Sequence, residues 1–237
     1  AEVYIHELSR VLVKKGHEVT IFSGSDGKSG RHEKIDGVRI IRHGGFYLVY
    51  FWAYIYYILR LRGRYDVIID SENGLPFFTP LYAKEKIFLL IHHVHQEVFR
   101  KSLVPPFSWL AQFLEKQIMP LVYRKTEVIT VSPSSKAEIT AHNLTKRDPH
   151  VVYSGVNLSR YKEGIKSNIP TILYLGRLTS AKSVEVLIRG AKQILQKVPK
   201  LKVIIAGDGP SKSSLQKLTQ TLGLGRVVTF TGKVSED

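Results

Sequence analysis

The chain has 237 residues, 43% of them hydrophobic and 10% aromatic, which is enough to bury a substantial core and excludes a disordered segment. It contains no cysteine, so a disulfide framework and a thiolate metal site are both excluded; this is compatible with a reducing, cytoplasmic setting. Its net charge of +15 favours an anionic partner, but the excess is dispersed, with 21 basic against 15 acidic side chains up to residue 150 and 14 against 5 thereafter, so no basic tail exists.

Ala1 opens directly inside an amphipathic pattern without an initiating Met, and Asp237 stops just after a strand-like run, so the sequence reads as a fragment. Val3, Glu7-Leu8 and Val11-Leu12 carry helical spacing to Lys15, Gly16 caps it, and Glu18–Phe22 follows as a strand. Gly24 to Gly30 reads as loop, Val38–Ile41 as a strand, Phe46–Leu61 as an aromatic helix ending near Gly63, and Asp66–Ile69 as a short buried strand. Ile87–Ile91 repeats the buried-strand signature, Phe107–Tyr123 reads as a helix, and Val128–Val131 as a strand running into Ser132-Pro133, which suits a helix N-cap and first turn. Val151–Tyr153 ends the first block.

After a polar, lysine-rich stretch the alternation restarts: strand Thr171–Leu175, helix Val184–Gln196, strand Leu201–Ala206, helix Ser213–Leu222, strand Val227–Phe230. Short apolar strands separated by amphipathic helices imply two Rossmann-like, doubly wound parallel α/β domains, here 1–158 and 170–237 joined by a linker at 159–169. Ligands in such sheets bind beyond the carboxyl ends of the strands, so the residues there are the functional candidates.

The densest cluster is GRLTSAKS, Gly176 to Ser183, between a strand and a helix. Gly176 permits a tight turn, while Arg177 and Lys182 can flank a diphosphate near a helix N-terminus; spacing alone equally allows two solvated surface cations. AGDGP supplies Gly207 and Gly209, but Lys212 leaves the dinucleotide fingerprint incomplete. Gly155, in SGVN, either admits a ligand or simply turns the chain. His92, His93 and His95 follow a strand. Neighbouring histidines on extended chain point to opposite faces and no adjacent carboxylate completes a triad, so no metal site is expected, and His92 reads as a hydrogen-bonding, acid–base or structural residue. No D-x-D triplet exists, which argues against a metal-carboxylate sugar-nucleotide site.

The apolar run Phe46–Leu59 spans 14 residues, short of the ~20 needed to cross a bilayer, and ends in Arg60, Arg62 and Arg64. Residues Phe46 to Arg64 suit either peripheral contact with a cytoplasmic membrane surface or a buried helix with snorkelling arginines; Phe99 to Lys125 presents the same choice.

Taken in order, AEVYIHELSRVLVKKGHEVTIF, HHVH, TVSPSSKAEI, YSGVNLSRY, ILYLGRLTSAKSVEVLI, IIAGDGP and VVTFTGKVS resemble the retaining family-four, or group-one, glycosyltransferases of the B-type two-Rossmann fold. The resemblance implies transfer of a sugar, with retained configuration, from a nucleoside-diphosphate sugar to a glycan or lipid-linked acceptor, without a cofactor and without nucleic acid as partner. It implies that Arg177 and Lys182 neutralise the donor diphosphate, that His92 contacts the transferred sugar, that Gly155 lines the cleft, and that Gly176, Gly207, Gly209, Gly232 and Val234 approach the nucleotide. It also places a first glycine loop before Ala1 and the family's glutamate pair beyond Asp237, so the fragment is expected to bind donor weakly and not to turn over. Ser183 stands where the family usually has glycine. An epimerase or phosphorylase of the same architecture and, more distantly, a basic nucleic-acid-binding module are the competing readings.

Overall fold

The computed structural model describes residues 2–155, 158 and 164–235, with the side chains of Glu2, Phe46, Lys101 and Ser102 excepted. It divides into two compact units, Ala1–Asn157 and Leu158–Asp237. Residues 159–163 of the expected interdomain linker lie outside the described residues, as do Val156 and Asn157 of the SGVN motif.

The first unit runs α1 (Glu2–Lys14), β1 (Thr20–Ser23), β2 (His32–Ile35), β3 (Val38–Arg42), α2 (Gly45–Tyr56), β4 (Val67–Glu72), β5 (Lys86–Ile91), α3 (Gln96–Ser102), α4 (Phe107–Phe113), α5 (Met119–Val122), β6 (Glu127–Thr130), α6 (Pro133–Ala141) and β7 (His150–Val151). Strands β4, β5, β6 and β7 form a parallel sheet in that order, in register from Val67 opposite Lys86 to Glu72 opposite Ile91. One face of this sheet closes over a core of Leu89, Ile91, Val94, Met119, Tyr123, Val128, Ile139 and Leu144. Removing such side chains from water, at about 25 cal/mol per Å², is what holds short strands of this kind together.

The expectation of purely parallel sheets needs one correction. Strands β1 and β3 pair in parallel, but β2 pairs antiparallel with β3, from His32 opposite Ile41 to Ile35 opposite Val38. Between them Asp36 and Gly37 both take positive φ, 50° and 83°, the two-residue geometry that fits the twist of a hairpin. The Asp-Gly pair signals this turn in the sequence, yet the exposed, charged β2 has no apolar alternation to reveal it.

Two long helices are interrupted rather than continuous. The aromatic helix continues from α2 into a π turn at Tyr57–Leu61, and the expected 107–123 helix is α4, a π turn at Leu114–Ile118, then α5. Pro120, which lacks an N–H, stands two residues beyond that second π turn and could not close an ordinary i to i−4 bond. Along α2 and into the π turn, Val49, Ala53 and Tyr57 are buried one turn apart, whereas Leu48, Phe51 and Tyr54 are exposed, so the helix is covered along one stripe only. Phe99 is buried, while Phe107, Trp109 and Phe113 stay exposed. Among the described residues no helix is long and apolar enough to cross a membrane.

The second unit is β8 (Thr171–Leu175), α7 (Val184–Leu195), β9 (Lys202–Ala206), α8 (Lys212–Thr221) and β10 (Val228–Gly232), a three-stranded parallel sheet ordered β10-β9-β8. Val184, Ile188 and Ala191 recur at helical spacing along the buried face of α7 and meet Val203 and Ile205 of β9. This is the parallel α/β architecture that the alternating pattern implies.

Candidate functional site

In the second unit the candidate residues gather at the carboxyl ends of the strands. Leu175, Gly176, Arg177, Gly207, Asp208, Lys233 and Val234 line a cavity of about 280 Å³. The loops after β8 and β9 are laced together by backbone hydrogen bonds: Gly176 N–H donates to Ala206 O at 3.0 Å, Leu178 N–H to Asp208 O at 2.9 Å, and Gly207 N–H to Gly232 O at 2.7 Å. The lacing explains two glycines without any ligand. A Cβ on Gly207 would sit 1.9 Å from Gly176 O, and one on Gly209 would sit 2.4 Å from Leu178 O. Gly155, by contrast, has nothing within 4 Å of where its Cβ would be.

Arg177 and Lys182 are both exposed, and neither has an ion pair among the described residues. Lys182 ends a 3₁₀ turn at Ser180–Lys182, and Ser183 caps α7 in the left-handed conformation (φ 48°, ψ 40°), so serine here takes up the backbone geometry that glycine occupies most easily. Sequence reading missed two charged neighbours of the cavity. Lys233 lines it directly, and Asp208 lines it while bonded to Lys212 at 2.7 Å; that bond and the Gly209 N–H hold the Asp208 carboxyl below its usual range.

In the first unit, His92 follows β5 half-buried, its ring edge-on to Tyr4 with centroids 5.4 Å apart. Its Nε2 is buried and makes no hydrogen bond. Burial, reinforced by the neighbouring His93, pushes its pKa down to about 4, so the imidazole is neutral at physiological pH.

The expectation that no carboxylate accompanies the histidines is overturned by tertiary packing. Glu72 from the end of β4 and Glu115 from the π turn after α4 converge on His95, and all three side chains are buried. His95 Nδ1 lies 3.5 Å from Glu72 Oε1 and 3.9 Å from Glu115 Oε1. Burial raises the Glu72 pKa well above the ordinary value, with the charge of Glu115 and a hydrogen bond to it adding; burial also raises Glu115, opposed by hydrogen bonds from His95 N–H, Gln96 and the Glu72 carboxyl. His95 is pushed the other way, to about 4, by burial first. Beside this cluster Asp70, also buried, accepts bonds from Phe77 N–H at 2.9 Å, Thr79 N–H at 3.2 Å, Thr79 Oγ1 at 2.7 Å and the Tyr123 hydroxyl. The only traces in the sequence are acids set in apolar surroundings, in VIIDSE and FLEKQI.

Comparison with known proteins gives a consistent result along the chain. A profile described as Glycosyltransferase Family 4 matches residues 1–160, and one described as Glycosyl transferases group 1 matches residues 156–237. An uncharacterised glycosyltransferase of Methanocaldococcus jannaschii is 35% identical over 262 aligned residues, covering 99% of this chain and 66% of the relative. An alpha-monoglucosyldiacylglycerol synthase of Streptococcus pneumoniae is 23% identical over 260 aligned residues, covering 98% of this chain and 57% of the relative. The chain therefore spans about two thirds or less of the length of these curated relatives. Among solved structures, a sucrose-phosphate synthase from Thermosynechococcus elongatus superposes with a TM-score of 0.76 at 18% identity, covering 99% of this chain and 65% of that one, which is a likeness of fold.

Proposed function

The chain belongs to glycosyltransferase family 4, its second half matching the group 1 glycosyl transferases, and from that premise we propose that the protein transfers a sugar from a nucleoside-diphosphate sugar to an acceptor hydroxyl with retained anomeric configuration. The observation that carries this reading is the second unit's cavity: a tightly turned strand-end pocket lined by Arg177 and Lys233, with Arg177 following a glycine turn and making no ion pair among the described residues.

Negative charge grows on the diphosphate as the glycosidic bond breaks. Arg177, Lys182 and the first amides of α7 answer it electrostatically, so no metal is needed at the diphosphate. Gly176, Gly207, Gly209, Gly232 and Val234 keep the backbone low enough for the nucleotide to approach, and Asp208, being paired with Lys212, costs the anion little. In the first unit, the half-buried, neutral imidazole of His92 is the group assigned to the transferred sugar, and Gly155, with open space around it, is assigned to the cleft.

A lipid-linked or envelope-glycan acceptor agrees with the exposed aromatic face of α2, Leu48, Phe51, Trp52 and Tyr54, which is followed by Arg60, Arg62 and Arg64. Aromatic rings beside cations suit the headgroup region of an anionic bilayer, and one relative is named for making monoglucosyldiacylglycerol. A screen of uridine, guanosine and adenosine diphosphate sugars on the chain extended to the length of its relatives tests the proposal. Transfer from none of them, or unchanged turnover in Arg177→Ala, would count decisively against it.

A further inference from the structure

We propose that Glu72, His95 and Glu115 form an interior site for one divalent transition-metal ion of the zinc class, separate from the diphosphate cavity of the second unit. The three side chains come from three different segments: the carboxyl end of β4, the start of α3 and the π turn that follows α4. Each offers one ligand atom, and those atoms all lie within 4.8 Å of one another. Zinc bonds of about 2.0–2.2 Å put tetrahedral ligand atoms roughly 3.3–3.6 Å apart; the 3.5 Å from His95 Nδ1 to Glu72 Oε1 already has that spacing, and the 3.9 Å to Glu115 Oε1 needs only a small side-chain adjustment.

The polar accounting points the same way. Among the described residues, both oxygens of Glu72, whose side chain is wholly buried, and Nδ1 of the buried His95 are enclosed with no N–H or O–H donor directed at them, so that Glu72 is satisfied only by holding a proton toward Glu115. Unpartnered groups of this kind are costly in a protein interior unless something neutralises them. Among the described residues no lysine or arginine pairs with either glutamate; without a cation the two carboxyl groups can only share a proton with each other, beside a neutral imidazole. A doubly charged cation balances two carboxylates, and imidazole nitrogen with carboxylate oxygen is a zinc-type donor set. Glu115 is further oriented from outside, accepting the His95 N–H at 2.7 Å on Oε1 and the Gln96 amide on Oε2, as ligating carboxylates commonly are. The π turn that carries Glu115 is itself a geometry found often at functional positions.

The ion would clamp the segment after β5, the one that carries His92, to β4 and to the helix after α4. It would thus act as a positioning element for that loop, outside the bond-breaking chemistry. The discriminating variant is Glu72→Gln, which removes a charge but keeps shape and volume.

The experiment strips the purified chain with a chelator, then titrates ZnCl₂ and, separately, CoCl₂. Metal content, thermal unfolding and the visible spectrum are read, with circular dichroism confirming that each variant is folded. The expected result is one zinc per chain, a rise in unfolding temperature with zinc, and a ligand-field band with cobalt. In Glu72→Gln, zinc affinity should fall by at least about 100-fold, more than loss of an outer-shell partner costs, and the stabilisation should disappear. His95→Gln should behave likewise and serves as the reading if Glu72→Gln does not fold. Stripped wild-type protein that takes up no zinc overturns the proposal, since the carboxylates then share a proton instead. So does a folded variant that takes up as much zinc as wild type, since the metal is then held elsewhere. None of these readouts depends on sugar transfer, so the site and the enzymatic proposal fail independently.

Discussion

Ser183→Gly should stabilise the second unit, and the size of the gain follows from one backbone conformation. Ser183 caps α7 at φ 48° and ψ 40°, and its hydroxyl makes no capping bond. An L-residue in this left-handed region carries about 1–2 kcal/mol of strain between Cβ and the following carbonyl, which glycine lacks. Glycine also loses more conformational freedom on folding, roughly 0.4–1 kcal/mol. Taking the middle of each range, the difference leaves a net gain of about 0.8 kcal/mol, with no hydrogen bond sacrificed. Equilibrium urea denaturation should therefore show a higher midpoint with an unchanged slope. Ser183→Ala keeps the Cβ and should be nearly neutral, whereas Ser183→Val adds a β-branch in a region it tolerates poorly and should cost about 1 kcal/mol more. A Ser183→Gly protein no more stable than wild type, or Ser183→Ala matching its gain, would refute the reasoning by showing that the left-handed turn does not exist. Lys182, one residue earlier, should keep its position, so donor affinity should not fall in Ser183→Gly.

Gly207→Ala should be severely destabilising, by more than about 3 kcal/mol, because its Cβ would meet the Gly176 carbonyl at 1.9 Å and both partners are backbone; Gly155→Ala, with open space around it, should leave the unfolding midpoint unchanged. In the chain extended to the length of its relatives, Arg177→Ala should lower kcat/KM for donor by about 10²–10³-fold, the scale of losing one preorganised charge-stabilising group, in steady-state kinetics with normal unfolding. Tyr123→Phe should cost about 1–3 kcal/mol in chemical denaturation, since it removes one of the donors that satisfy the buried Asp70. Replacing Leu48 and Phe51 together by alanine should abolish co-sedimentation with anionic phospholipid vesicles if the α2 face is the membrane contact, while leaving stability nearly unchanged because both side chains are more than half exposed.

The sequence by itself determined the elements whose apolar pattern is strong. Strand β5 and strand β9 are runs of branched aliphatics, α7 repeats its buried positions at helical spacing, and Ser132-Pro133 caps α6 as the residue types demand, with Ser132 Oγ accepting the Ser135 N–H at 3.1 Å. It also put His92, Arg177 and Lys182 beside strand ends, because a candidate's position relative to a strand depends only on local order. Strand β2 was not legible, since its stability comes from pairing with β3 and its own side chains are mostly exposed. The same limit hid the π turns, which depend on what the helix packs against.

What only the tertiary structure decided is which distant residues share a space. Glu72 and Glu115 are 43 positions apart and look like ordinary acids one at a time; they become a charged cluster only once β4 and the helix after α4 pack around His95. Gly207 and Gly209 likewise look like ligand-facing glycines, yet the fold requires them first because two loops of the second unit touch backbone to backbone. Periodicity is written into neighbouring residues and survives in the linear chain, whereas burial, orphaned polar atoms and close backbone approach belong to pairs of segments that meet only on folding.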